Sequence, residues 1–127
     1  MSERIVVAKF GGTSVADAAQ FRKISEIVRS NPERRFIVVS APGKRFSADR
    51  KVTDLLLDCY EKAVRGESFS AELRLIRLRF KEITDGLDLR FPLDEELHIL
   101  EKSFKTDPQR DYTASRGEYL TARIMAA

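Results

Sequence analysis

Two short apolar runs, Ile5-Val6-Val7-Ala8 and Phe36-Ile37-Val38-Val39, flank a single amphipathic segment, and this arrangement constrains the fold more than any other feature. β-Branched runs without polar alternation read as strands apolar on both faces. Between them Phe21, Ile24, Ile27 and Val28 recur at helical spacing, from about Asp17 to Arg29. Ser30-Asn31-Pro32 ends that helix, because the residue before proline is pushed out of the α region. Strands over Arg4 to Phe10 and Arg35 to Ser40, joined by one helix, make a βαβ unit with parallel pairing and a right-handed crossover.

Ala41 to Val52 reads as a polar, basic loop containing Pro42, Gly43, Lys44, Arg45 and Lys51. Beyond it the patterning is helical. Helices are expected over Thr53 to Arg65, with Gly66 just past the end; from a cap at Ser68 or Ser70 to Asp85; over Pro92 to Lys105; and from Tyr112 or Thr113 to Ala127. The expected class is therefore α/β, helix-rich, with a small parallel sheet. A two-stranded parallel pair is not stable by itself, and the last helix has no Gly, Asn or Pro after Ile124. We therefore expect the rest of the sheet to lie outside this sequence.

Composition excludes several function classes. The chain is 43% hydrophobic, enough for a core, yet no apolar run is long enough to span a bilayer. Met1-Ser2-Glu3-Arg4 carries no apolar leader, so a cytoplasmic location is expected. Cys59 stands alone and reads as a small core residue. A net charge of +3 against 34% charged residues describes a solvated surface without a nucleic-acid footprint. Arg74, Arg77, Arg79 and Lys81, interleaved with Leu73, Leu75, Ile76, Leu78 and Phe80, read as the polar face of an amphipathic helix. His98, between Leu97 and Ile99, reads as a partly exposed structural residue. No nucleophilic triad, metal-ligand spacing, P-loop or G-x-G-x-x-G pattern is present.

The chemistry points instead to Lys9-Phe10-Gly11-Gly12-Thr13-Ser14. A strand delivers a cation, and two residues without Cβ atoms follow at once. Glycine adopts φ > 0 at no steric cost, so the amides of Gly11 and Gly12 can converge on phosphate oxygens. A helical segment from Ser14 onward would add its dipole to the same anion. A plain strand-to-helix turn would need glycine too; Lys9 directly before the pair favours phosphate.

Four motifs occur in one order: Lys9 to Val15, Val38-Val39-Ser40-Ala41, Val52-Thr53-Asp54-Leu55-Leu56, and Ser115-Arg116-Gly117-Glu118. In order and approximate spacing they resemble the aspartokinases of the amino-acid kinase superfamily, over essentially the whole chain. The stretch from Ala41 to Thr53 is longer than in many relatives and resembles a subgroup with a basic insertion. The resemblance implies an αβα sandwich, here an incomplete N-terminal portion. Residues 1–127 would be the N-terminal part of the catalytic domain, without its ATP-binding C-terminal half and without ACT regulatory modules.

It also implies transfer of the ATP γ-phosphoryl group, with Mg2+, to the side-chain carboxylate of L-aspartate. Lys9 would be catalytic and, with Gly11 and Gly12, would hold phosphate; Ser40, Thr53 and Glu118 would bind aspartate. Read without the family, Thr53 is a helix N-cap, Ser40 a strand-end turn residue, and Glu118 a surface partner of Arg116 or Arg123. Other acceptors of the superfamily (glutamate, N-acetylglutamate, a nucleotide monophosphate) and a non-catalytic helical module remain open. A homo-oligomer, joined through the incomplete sheet or the last helix, is the expected state, with no nucleic-acid or membrane partner.

Overall fold

A computed structural model describes residues 5–127. Strand β1, Val6–Phe10, pairs in parallel with β2, Arg34–Val39, in a two-stranded sheet. Lys9 lies opposite Val38 and Phe10 opposite Val39, with an irregularity between Val6 and Val7. The crossover helix α1 spans Ala18–Arg29 and buries Phe21 and Ile24. The expected strand residue Arg4 lies outside the described residues.

The start of α1 departs from expectation. The chain leaves β1 through a 3₁₀ turn, Gly12–Val15, and α1 begins only at Ala18. Asp17 caps it, its carboxylate accepting the Gln20 N–H at 3.0 Å. A side-chain anion already occupies that helix end, where it takes up the dipole that the sequence suggested for a ligand.

Four helices complete the chain: α2, Val52–Val64; α3, Ser70–Gly86; α4, Leu93–Thr106; and α5, Arg110–Ala126. Gly66 at φ 72° follows α2 as the left-handed residue that the sequence placed there. The Ser68 hydroxyl accepts the Ser70 N–H at 3.4 Å at the mouth of α3. Pro92 caps α4 instead of entering its first turn, and α5 starts two residues earlier than expected.

Helix α2 packs against α3, α4 and α5. Its Val52, Leu55, Leu56 and Cys59 meet Ile76, Phe80 and Ile83 of α3, Leu97 and Leu100 of α4, and Leu120 and Ile124 of α5 in one core. Phe10 and Val39 join that core from the inner side of the sheet. The outer side is bare: Val7 is 61% exposed, Phe36 58% and Val38 47%, and Lys9 is exposed with them. The strands are thus covered on one face, not two. Among the described residues no helix is long and apolar enough to cross a membrane.

Candidate functional site

Both strands run toward the same end, and their carboxyl ends open onto a cleft of about 400 Å³. Such ends are where open α/β sheets bind ligands. The cleft is built from four separate segments: Gly12 and Thr13 after β1, Ser40 to Lys44 after β2, Lys51 and Thr53 at the start of α2, and Glu118 on α5. Gly12, Ser40, Thr53 and Glu118 therefore meet in one place. Lys9 and Gly11 lie outside the lining: Lys9 sits one residue pair back from the edge on the bare sheet face, and Gly11 is exposed.

The glycines work differently from the sequence-based expectation. Gly11 is extended, at φ −75° and ψ 178°, and among the described glycines only Gly66 has φ > 0. What Gly12 supplies is room. A Cβ there would lie 3.2 Å from the Ala41 carbonyl oxygen and 3.3 Å from Gly43. Gly43 is tighter still, since its Cβ would stand 2.7 Å from the Gly12 carbonyl carbon. The two backbones cross in contact, and the Gly43 N–H donates to the Gly12 oxygen at 2.8 Å.

Thr53 is not the cap of α2. Lys51 holds that position without a side-chain bond, and the Val52 N–H donates to the Pro42 oxygen at 3.0 Å. The Thr53 and Asp54 amides precede the first intrahelical donor, the Leu55 N–H, which bonds the Lys51 oxygen, and the Thr53 hydroxyl has no hydrogen bond among the described residues. Ser40 donates its N–H to the Phe10 oxygen at 3.2 Å, tying the two strand ends together. Glu118 pairs with neither arginine proposed for it. Arg123 bonds to Glu96, and Arg116 lies over the rings of Tyr112 and Tyr119 at 4.3 and 4.5 Å. Gly117 lets α5 approach closely enough to bring Glu118 to the cleft.

Sequence reasoning missed the rim lysines Lys44 and Lys51 as cleft residues, although the basic composition of Ala41 to Val52 was their signal. It also placed Arg79 in solvent. Arg79 is 4% exposed, on the same face as Ile76, Phe80 and Ile83, and that spacing was the missed signal. The loop between Gly43 and Lys51 is closed by Arg45, whose guanidinium and N–H both bond the Asp49 carboxylate. Those bonds hold Asp49 well below the usual carboxylate range, and the same pairing raises Arg45.

Three larger grooves lie elsewhere, of about 580 Å³ between α3 and α4, about 610 Å³ beside the basic loop and about 490 Å³ where α3 leads into α4. Ion pairs line all three, Arg77 with Asp94 and Arg45 with Glu82, and none of the three is at the strand ends. The smaller cleft is the candidate site on its chemistry. It offers lysine cations, backbone amides, three hydroxyls (Thr13, Ser40 and Thr53) and one free carboxylate, a set suited to an anion that also carries an ammonium group. Among the described residues no three His, Cys, Asp or Glu side chains cluster as a metal cage.

Comparisons with known proteins bear on the fold and the family. Residues 4–127 match the model of the amino acid kinase family. Aspartokinase 3 of Bacillus subtilis is 37% identical, across 95% of this chain and 28% of its own length. The chloroplastic bifunctional aspartokinase/homoserine dehydrogenase 2 of Arabidopsis thaliana is also 37% identical, across 94% of this chain and 14% of its own. Clostridium acetobutylicum aspartate kinase superposes with a TM-score of 0.92 at 42% identity, covering 96% of this chain and 28% of that one. E. coli aspartokinase III in complex with aspartate and ADP superposes at 0.73 with 29% identity, over the same shares. The chain thus spans between about a seventh and somewhat over a quarter of these relatives, and it belongs to the amino acid kinase family.

Proposed function

We propose that residues 1–127 form the N-terminal, acceptor-side part of an aspartate kinase catalytic domain, completed by an ATP-binding half and ACT modules beyond this sequence. The reaction is transfer of the ATP γ-phosphoryl group to the side-chain carboxylate of L-aspartate, giving 4-phospho-L-aspartate, the first step toward lysine, threonine and methionine. The observation carrying this reading is the convergence of Gly12, Ser40, Thr53 and Glu118 on one cleft at the strand ends. The likeness to an aspartokinase solved with aspartate and ADP supports the same ligand pair.

The acceptor carboxylate has an ordinary pKa near 4 and is ionised at neutral pH, so the reaction needs no general base. Alignment and charge neutralisation remain. Glu118 meets the substrate ammonium, and the Thr53 hydroxyl and the first amides of α2 meet a carboxylate. Lys9 offsets charge on the transferring phosphoryl group, with the Gly11 and Gly12 amides as directed donors. ATP is expected to arrive with Mg2+.

A hydroxamate assay on the complete enzyme tests this. Lys9→Ala should lower kcat by about 10²–10³, while Glu118→Gln should act mainly on the aspartate KM. Near-normal turnover by Lys9→Ala would assign Lys9 to structure alone. Acceptor competition with glutamate and nucleotide monophosphates separates aspartate from the alternatives within the superfamily.

A further inference from the structure

Arg79 is the one charged side chain fully buried among the described residues, and all its acceptors belong to the walls of the cleft or their supports. Its Nη2 donates to the Gly43 oxygen at 2.6 Å and to the Ala16 oxygen at 3.3 Å. Its Nη1 donates to the Arg50 oxygen at 2.8 Å and stands 3.4 Å from the Asp49 carboxylate. Gly43 and Arg50 are the two ends of the basic loop, and Ala16 follows the turn that Gly12 opens. One planar fork therefore ties both loop ends to the glycine turn.

Stability alone is a poor reason for this choice. Burying a guanidinium costs several kcal/mol, and apolar residues of similar volume often replace buried charges without loss. Burial indeed lowers the Arg79 pKa, and its Nε has no acceptor. What the fork provides is geometry. Lys44 and Lys51 on the cleft rim are each bonded in sequence to a residue it clamps, Gly43 and Arg50.

We propose that Arg79 is a positioning residue of the acceptor cleft, holding loop 43–51 against the glycine turn so that Lys44 and Lys51 stand ready for an acidic amino-acid acceptor. This rests on the reading of the cleft above. Fixing the loop before binding removes the ordering cost that a mobile loop would impose on the ligand.

Arg79→Lys keeps the charge but not the fork, so it cannot hold three carbonyls at once. In the 127-residue chain, amide hydrogen exchange over residues 44–51 should accelerate about tenfold or more, while α2 and α5 keep their protection. In the complete enzyme, the aspartate KM should rise about tenfold or more, with the ATP KM nearly unchanged. Asp49→Asn, which leaves Arg79 in place but loosens the loop, should shift both readouts the same way and covers the case of an Arg79 variant that does not fold. Exchange that rises uniformly, or an aspartate KM that ignores a loosened loop, overturns the positioning role. A parent enzyme without aspartate turnover would instead sink the reading of the cleft itself.

Discussion

Cys59 sits at the centre of α2 with no exposed surface, among core side chains from three other helices. Burial, and after it the Glu72 and Asp58 carboxylates, push its thiol from an ordinary 9.0 up to about 12. The sign of the consequence follows from linkage. Above pH 9 the unfolded chain releases this proton while the folded chain keeps it, so Cys59 favours unfolding increasingly between pH 9 and about 12; below pH 9 its contribution is complete. Denaturant titrations at pH 8 and pH 10.5 should show lower stability at the higher pH, and Cys59→Ala should reduce that difference. Iodoacetamide should label Cys59 at pH 8 only at the rate of unfolding; prompt labelling of the native chain would contradict its burial.

At the scale of elements, α5 reaches the cleft because residue 117 has no side chain. A Cβ there would lie 2.6 Å from the Ala41 Cβ and 3.3 Å from Leu56 Cδ1. Gly117→Ala gains about 1 kcal/mol of helix propensity and incurs about 1–3 kcal/mol of overpacking. Overpacking should win, since the main obstacle is a Cβ fixed to its own backbone. The expected result is a net loss of up to about 2 kcal/mol together with a raised aspartate KM in the complete enzyme, as Glu118 moves outward. A more stable variant with normal KM would refute that account. The elements themselves were largely readable, because apolar runs, Asn31-Pro32 and Gly66 are local signals. Gly12, Ser40, Thr53 and Glu118 could be named from their motifs. Arg79 could not, because a charge on a helix defaults to solvent unless its spacing from Ile76 and Ile83 is weighed. The Thr53 cap failed for a tertiary reason: the Pro42 carbonyl meets the Val52 N–H and starts α2 one residue early.

For the molecule as a whole, the bare sheet face dominates. Ile5, Val7, Phe36 and Val38 present a contiguous apolar strip on two strands whose outer edges are unpaired among the described residues. Such edges and faces favour association. Sedimentation velocity of the 127-residue chain should show concentration-dependent self-association, and Phe36→Glu should shift it toward monomer. Because Phe36 is already exposed, that variant should change folding stability by no more than about 0.5 kcal/mol. A wild-type chain that stays monomeric at all concentrations would mean that the strip is tolerated in water.

Lys9 shares that strip, opposite Val38, and water now damps its field. Coulomb energy scales inversely with effective dielectric, so enclosing the ammonium, from about 80 toward about 20, would strengthen its pull on a phosphate about fourfold. The strip is thus a conditional amplifier. For the phosphate contact proposed above, full strength would arrive only with whatever seals that side.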